Sequence, residues 1–121
     1  MLIMSVELKQ RTQKFALDCW HLCAEIPNSR EYNAYVHQLI KSSSSVGANY
    51  RAALRGKSSR DFINKLKIVE EEADESAFWL EMFISILKDN QETLQRLNKE
   101  ANEIVAIVVA SIKTAKKNQN L

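Results

Sequence analysis

The sequence predicts an all-α protein: one domain over residues 1–121, built as an up-down-up-down antiparallel four-helix bundle. Three observations lead there. Apolar residues recur at alternating spacings of three and four through four long segments, the period that gives a helix one inward face. Short turns join those segments, as in a bundle whose neighbouring helices run antiparallel. The 121 residues hold 2 glycines and 1 proline, whereas a sandwich or barrel needs turn residues every 8–12 positions or so. No Gly-rich loop is present to cradle a phosphate, which argues against an α/β nucleotide-binding domain.

The first helix is expected over about residues 5–26, with Leu8, Thr12, Phe15, Cys19, Leu22 and Ile26 on its inward face. Pro27-Asn28-Ser29 ends it, and Asn28 followed by Glu31 has the spacing of a capping box for the next helix. The second helix, about 30–55, carries Tyr32, Val36, Leu39, Ser43, Val46, Tyr50 and Ala53 inward. Its middle holds Ser42-Ser43-Ser44-Ser45 and Gly47, residues that weaken an isolated helix. The apolar period stays in register through that run, which favours a continuous helix over a loop. Small side chains there let a neighbouring backbone approach, and the hydroxyls can bond to carbonyls one turn earlier.

Gly56 fits the position just past a helix end, and Ser58 with Asp61 reads as the next cap. The third helix, about 59–88, has two seams. One is Phe62, Leu66, Val69, Ala73, Ser76, Leu80, Phe83 and Leu87; the other is Ile68, Glu72, Glu75, Trp79, Met82 and Ile86. After the turn Asp89-Asn90-Gln91-Glu92, the fourth helix is expected over about 93–116 on Leu94, Leu97, Ala101, Ile104, Val108, Ile112 and Ala115, with a basic tail that frays. From Ile104 to Ala110 this helix is apolar all round. A helix of that kind is covered on more than one face, so either it is unusually central in the bundle or the chain self-associates, and the second is the expectation. The candidate oligomer interface is Ile68, Glu72, Glu75, Trp79, Met82, Val105 and Val109, with Trp79 as its anchor.

Apolar residues make up 45% and charged residues 26%, a composition that fills a core and solvates a surface. The net charge of +2 does not by itself demand a nucleic-acid partner. Cys19 and Cys23 lie four apart on one helix, a poor geometry for a disulfide, and read as buried thiols. Met1 to Val6 lacks the features of a signal peptide. The longest apolar run, Ile104–Ala110, is too short to span a bilayer. The expected setting is the cytoplasm, without membrane contact.

Charge is distributed unevenly along helices two and three. Arg51, Arg55, Lys57, Arg60, Lys65 and Lys67 fall in one stretch with Asp61 as its acid; Glu70, Glu71, Glu72, Asp74 and Glu75 follow without a base. A solvated face with ends of opposite sign accounts for this pattern equally well. The functional alternative is a basic end of the bundle that contacts phosphates, repeated in every copy of an assembly. Glu72 and Glu75 have the i, i+3 spacing of di-iron bundles, but neither His21 nor His37 follows a glutamate by three, so no metal or other cofactor is expected. One or two carboxylates of the acidic cluster are instead expected in a subunit seam, paired with Arg51, Arg55 or Asn49. Arg30 and His37 have the spacing of a helical ribonuclease pair, a weak signal beside a surface histidine. Trp20 and Trp79 are expected in the core or at an interface.

Three stretches also resemble a known family. They are Gln38-Leu39-Ile40-Lys41-Ser42-Ser43-Ser44-Ser45-Val46-Gly47-Ala48-Asn49, then Arg60-Asp61-Phe62-Ile63-Asn64-Lys65-Leu66-Lys67-Ile68, then Glu71-Glu72-Ala73-Asp74-Glu75-Ser76-Ala77-Phe78-Trp79-Leu80-Glu81. Together they resemble the bacterial four-helix-bundle family first recognised as reading frames within intervening sequences of 23S ribosomal RNA genes. The resemblance implies a left-handed bundle assembled as a homopentamer. It also implies kinship with the accessory protein of diversity-generating retroelements, a basic barrel that binds nucleic acid and a reverse transcriptase. Many members continue Ile-Ala-Glu-Gly where this chain reads Tyr50-Arg51-Ala52-Ala53. The expectation is therefore a non-enzymatic homo-oligomer without a small-molecule substrate, binding RNA or a nucleoprotein through its basic residues. A purely structural or protein-partner adaptor is the alternative, and an Arg30/His37 ribonuclease comes third.

Overall fold

A computed structural model describes residues 2–119, with side chains from residue 6 to residue 119. These residues form four helices and no strand: α1 (Leu2–Glu25), α2 (Arg30–Leu54), α3 (Ser59–Ile86) and α4 (Gln91–Asn118). Residues 120 and 121 of the tail lie outside the described residues.

The helix ends follow local chemistry. Ser29, not Asn28, caps α2: its extended backbone lets its side chain accept from the Tyr32 amide. Asn28 accepts instead from the Asn33 side chain at 2.7 Å. Ser58 caps α3 by accepting from the Asp61 amide, and Asp61 Oδ2 accepts from the Lys57 amide at 3.3 Å. Gly56 is not in the left-handed conformation typical of a glycine past a helix end. Space explains it better, since a Cβ there would lie 3.1 Å from the Ala53 carbonyl oxygen and 3.2 Å from the Phe62 nitrogen.

The α3–α4 turn differs most from expectation. α3 stops at Ile86 and α4 starts at Gln91, two residues before the expected start. Asn90 takes the left-handed conformation at φ 63°, which asparagine tolerates better than most residues. The Gln91 side chain turns back and donates to the carbonyls of Ile84 and Leu87 at 3.0 and 2.7 Å, satisfying acceptors that the end of α3 leaves open. α4 then continues to Asn118 rather than fraying at residue 116.

Helices packed together share one core. Phe15, Leu22, Leu39, Val46, Leu66, Val69, Leu80, Phe83, Leu94, Leu97, Ile104 and Val108 are its largest fully buried side chains. α2 is continuous through the serine run, as the period predicts. Ser42 and Ser43 are buried and bond to the carbonyls of Leu39 and Ile40, each at 3.3 Å. Gly47 allows the close approach of α1: a Cβ on it would sit 3.3 Å from the Thr12 carbonyl oxygen. Arg11 bonds to Glu100 and Glu103 across α1 and α4, and Asp18 to Arg96. Asn98 reaches Ala77, and Gln91 reaches Ile84, across α4 and α3. α1 packs closely on α2 and α4, and α3 on α2 and α4; the diagonal pairs α1–α3 and α2–α4 make no close backbone approach among the described residues.

Candidate nucleic-acid interface at one end of the bundle

The two helix ends flanking Gly56 bring the six basic residues singled out in the sequence to one end of the bundle. Arg51, Arg55, Lys57, Arg60 and Lys67 are exposed and Lys65 is half-buried. The ion pairs of the described residues involve Arg11, Lys14, Arg30 and Arg96, so none of these six is neutralised by a partner in its own chain. Phosphate-binding side chains in a free protein have that character.

The fourth helix supplies charge that sequence reasoning missed. A cavity of about 350 Å³ is lined by Leu8, Tyr50, Phe62 and Leu66 together with Ile107, Ala110, Ser111, Thr114, Ala115 and Asn118. The C-terminal part of α4 therefore lies against the end of α2 and the start of α3, and brings Lys113, Lys116 and Lys117 to the same end. The signal was the basic tail itself. An up-down-up-down course already sends that tail to the end where α2 stops and α3 starts.

Helix dipoles account for part of this charge. Arg51, Lys116 and Lys117 lie in last turns, where cations meet a partial negative charge. Lys57 and Arg60 flank the N-terminus of α3, where the dipole disfavours a cation and only Asp61 complements it. Fold stability therefore does not explain those two.

The expected interface residues do not form one patch. Ile68, Glu72, Trp79 and Met82 are half-buried and Glu75 is exposed. Their stripe lies on the flank of α3 toward α2, where Trp79 packs on Tyr35 with ring centroids 4.9 Å apart. Trp79 Nε1 donates to Glu75 Oε2 at 3.4 Å. Burial and the neighbouring Glu75 charge raise the Glu72 carboxyl above its ordinary value, against the pull of Lys41. Val105 and Val109 are half-buried on the other flank, along the α4 stripe whose Asn98 bonds to Ala77. In the single chain Asn49 gives its amide to Ser45, not to a carboxylate. The large exposed apolar side chains include Leu17, Trp20 and Phe78, each half exposed or more. Trp20 is thus not a core residue, and Phe78 lies on neither seam named from the sequence.

The remaining candidates sit elsewhere. Arg30 is exposed and gives its guanidinium to Glu31, and His37 is exposed about two turns further along α2. Cys19 and Cys23 are free and buried; burial pushes the Cys23 thiol up to about 12 and Cys19 also upward. No group of three or more metal-ligating side chains occurs among the described residues. No helix among them is long and apolar enough to cross a membrane.

Residues 4–110 match the model of the 23S rRNA-intervening sequence protein family. The fold is similar to the 1.70 Å crystal structure of a Bacteroides thetaiotaomicron protein of unknown function from the S23 ribosomal protein family. The TM-score is 0.80 at 32% identity, over 88% of this chain and 98% of that one. No curated protein matches the chain. A family match across most of the chain and a shared fold at that identity make this protein a member of the 23S rRNA-intervening sequence protein family.

Proposed function

We propose that the protein is a non-enzymatic scaffold of the cytoplasm, a homo-oligomer and in particular a pentamer, that holds RNA or a nucleoprotein on its basic end. Each chain is a left-handed, up-down-up-down antiparallel bundle. The antiparallel course is supported by cross-helix pairings in which residue numbers rise on one helix and fall on the other, as in Arg11 with Glu100 and Asp18 with Arg96.

One observation carries the RNA reading: Lys57 and Arg60 stand unpaired at the N-terminus of α3, where the dipole disfavours them, beside Arg51, Arg55 and the lysines of α4. Charge placed against its own helix has a use outside the fold. Several copies around an axis would repeat that end and multiply the field on a phosphate backbone. Self-association is supported by Leu17, Trp20, Phe78 and Ile86, whose apolar side chains are exposed on the single chain.

Filter binding of a structured RNA at two salt concentrations tests the proposal. Binding should weaken steeply with salt, and Arg55→Ala with Arg60→Ala should flatten that slope by nearly one log unit for each phosphate no longer neutralised. Absent binding at low salt, or a slope unchanged in the double variant, would leave the protein as a structural adaptor.

A further inference from the structure

The geometry points to a head-to-tail contact between copies of this chain, in which the outer ridge of α3 seats in the groove between α1 and α2 of a second copy. This inference rests on the self-association proposed above and names the two surfaces that carry it.

The groove measures about 410 Å³. Its floor is small, with Ala16, Gly47 and Ala48, and Leu17 forms one wall. Lys9 and Arg51 stand at one end. Trp20, 54% exposed and one turn beyond Ala16 on α1, continues it at the other. A floor of small residues accepts a protruding side chain, and the cations select an acidic one.

The outer face of α3 is the complement. Phe78 is 50% exposed, although aromatic side chains of its size are rarely left so in a single subunit. Glu71 and Glu75, both exposed, precede it by two turns and one. Met82 follows it one turn later and is half-buried. None of Glu71, Glu75, Lys9 and Arg51 joins an ion pair among the described residues.

The two surfaces also agree in spacing. At 1.5 Å per residue, Lys9 to Leu17 spans about 12 Å and Lys9 to Trp20 about 16.5 Å along α1. Glu71 to Phe78 spans about 10.5 Å and Glu71 to Met82 about 16.5 Å along α3. With the two helices laid parallel, the acids meet the cations while Phe78 and Met82 meet Leu17 and Trp20.

α1 and α3 are diagonal in the bundle, with no close backbone approach among the described residues, so the outer groove of α1 and α2 and the outer ridge of α3 lie on different sides and each copy presents both at once. A contact between unlike patches is heterologous. It closes a ring when the rotation between copies divides the circle, and otherwise runs on as a filament.

Charge reversal on each surface separately, and then on both, tests the pairing by light scattering, with circular dichroism to verify helix content. Glu71→Lys with Glu75→Lys should reduce the assembly to single chains of 13.9 kDa, and so should Lys9→Glu with Arg51→Glu. The quadruple variant that carries all four changes should reassemble, because every reversed ridge then faces a reversed groove whatever the number of copies. Phe78→Ser should weaken assembly without loss of helix. Two results would overturn the pairing and leave self-association standing: double variants that keep the wild-type mass, or a quadruple variant that keeps its helix content and fails to recover it. A wild type that is itself a single chain would overturn both.

Discussion

Ser76 Oγ lies 2.9 Å from Ser42 Oγ, and this contact between two buried hydroxyls joins α3 to α2 across the core. Ser76 Oγ is also 2.8 Å from the Glu72 carbonyl oxygen, and Ser42 Oγ lies 3.3 Å from that of Leu39. Each hydroxyl has one proton, and the chain of contacts leaves no buried side-chain polar atom unsatisfied among the described residues. The serines are therefore packing residues as well as polar ones: they keep two helices close at no cost in unpaired groups.

Ser76→Ala should destabilise the fold by about 1 kcal/mol, since Ser42 keeps the Leu39 carbonyl as its acceptor. Ser42→Leu should cost about 1–3 kcal/mol, because the added carbons have no space between α2 and α3. Urea unfolding followed by circular dichroism measures both. Equal losses for the two variants would mean that the hydroxyls, and not the close approach, set the stability of this seam.

Most of the fold was legible in the sequence, and the serine run shows why. A helical period of apolar positions survived five small or polar residues because packing, not intrinsic propensity, decides a helix of this length. The caps were harder. Asn28 and Ser29 are adjacent cap formers, and only the backbone angles select Ser29. The start of α4 was missed because Gln91 is held by carbonyls of the preceding helix. The basic residues of α2 and α3 were legible as a run. The contribution of α4 was missed because its basic tail was expected to fray, although the predicted up-down course sends it to the same end. Phe78 falls on neither apolar seam of α3, so the helical period gave no signal for it, and only its exposure singles it out.

Asp18 and Glu72 should shift stability with pH in opposite directions. Burial raises the Asp18 carboxyl, but hydrogen bonds from Lys14 at 2.6 Å and Arg96 at 3.3 Å outweigh it and hold it below its ordinary value. Its contribution is present above the unfolded-state value and is lost as the pH falls through the lower folded one. Glu72, raised by burial and by Glu75, favours the protonated form in the fold, so it weakens the chain as the pH rises through its ordinary value and above. Asp18→Asn should lower the urea midpoint at pH 7 and matter little at pH 3. Glu72→Gln should raise the midpoint at pH 7 and matter little at pH 3. The same sign for both variants at pH 7 would contradict these environments.

The thiols should be inert in the folded protein. Burial keeps Cys23 protonated until about pH 12 and raises Cys19 as well, and the thiolate is the reactive form. A disulfide-exchange reagent should label neither cysteine at pH 8 until urea unfolds the chain. Fast labelling of either in buffer would show that the α1–α2 core opens.

Because α4 shares the basic end, Lys113→Ala, Lys116→Ala and Lys117→Ala together should weaken RNA binding and reduce its salt slope, as is expected of the changes at Arg55 and Arg60. The fold should tolerate them, since exposed or half-exposed lysines at a helix end contribute about 0.3–1 kcal/mol each through the dipole. RNA affinity equal to wild type at low salt would confine the interface to α2 and α3.

Self-assembly of a chain with more apolar surface than it can cover alone is the central claim, and sedimentation equilibrium of the wild type over a wide concentration range tests it most directly. The expected mass is close to five times the 13.9 kDa of the chain and independent of dilution. A particle of 13.9 kDa at the highest concentration would contradict the account.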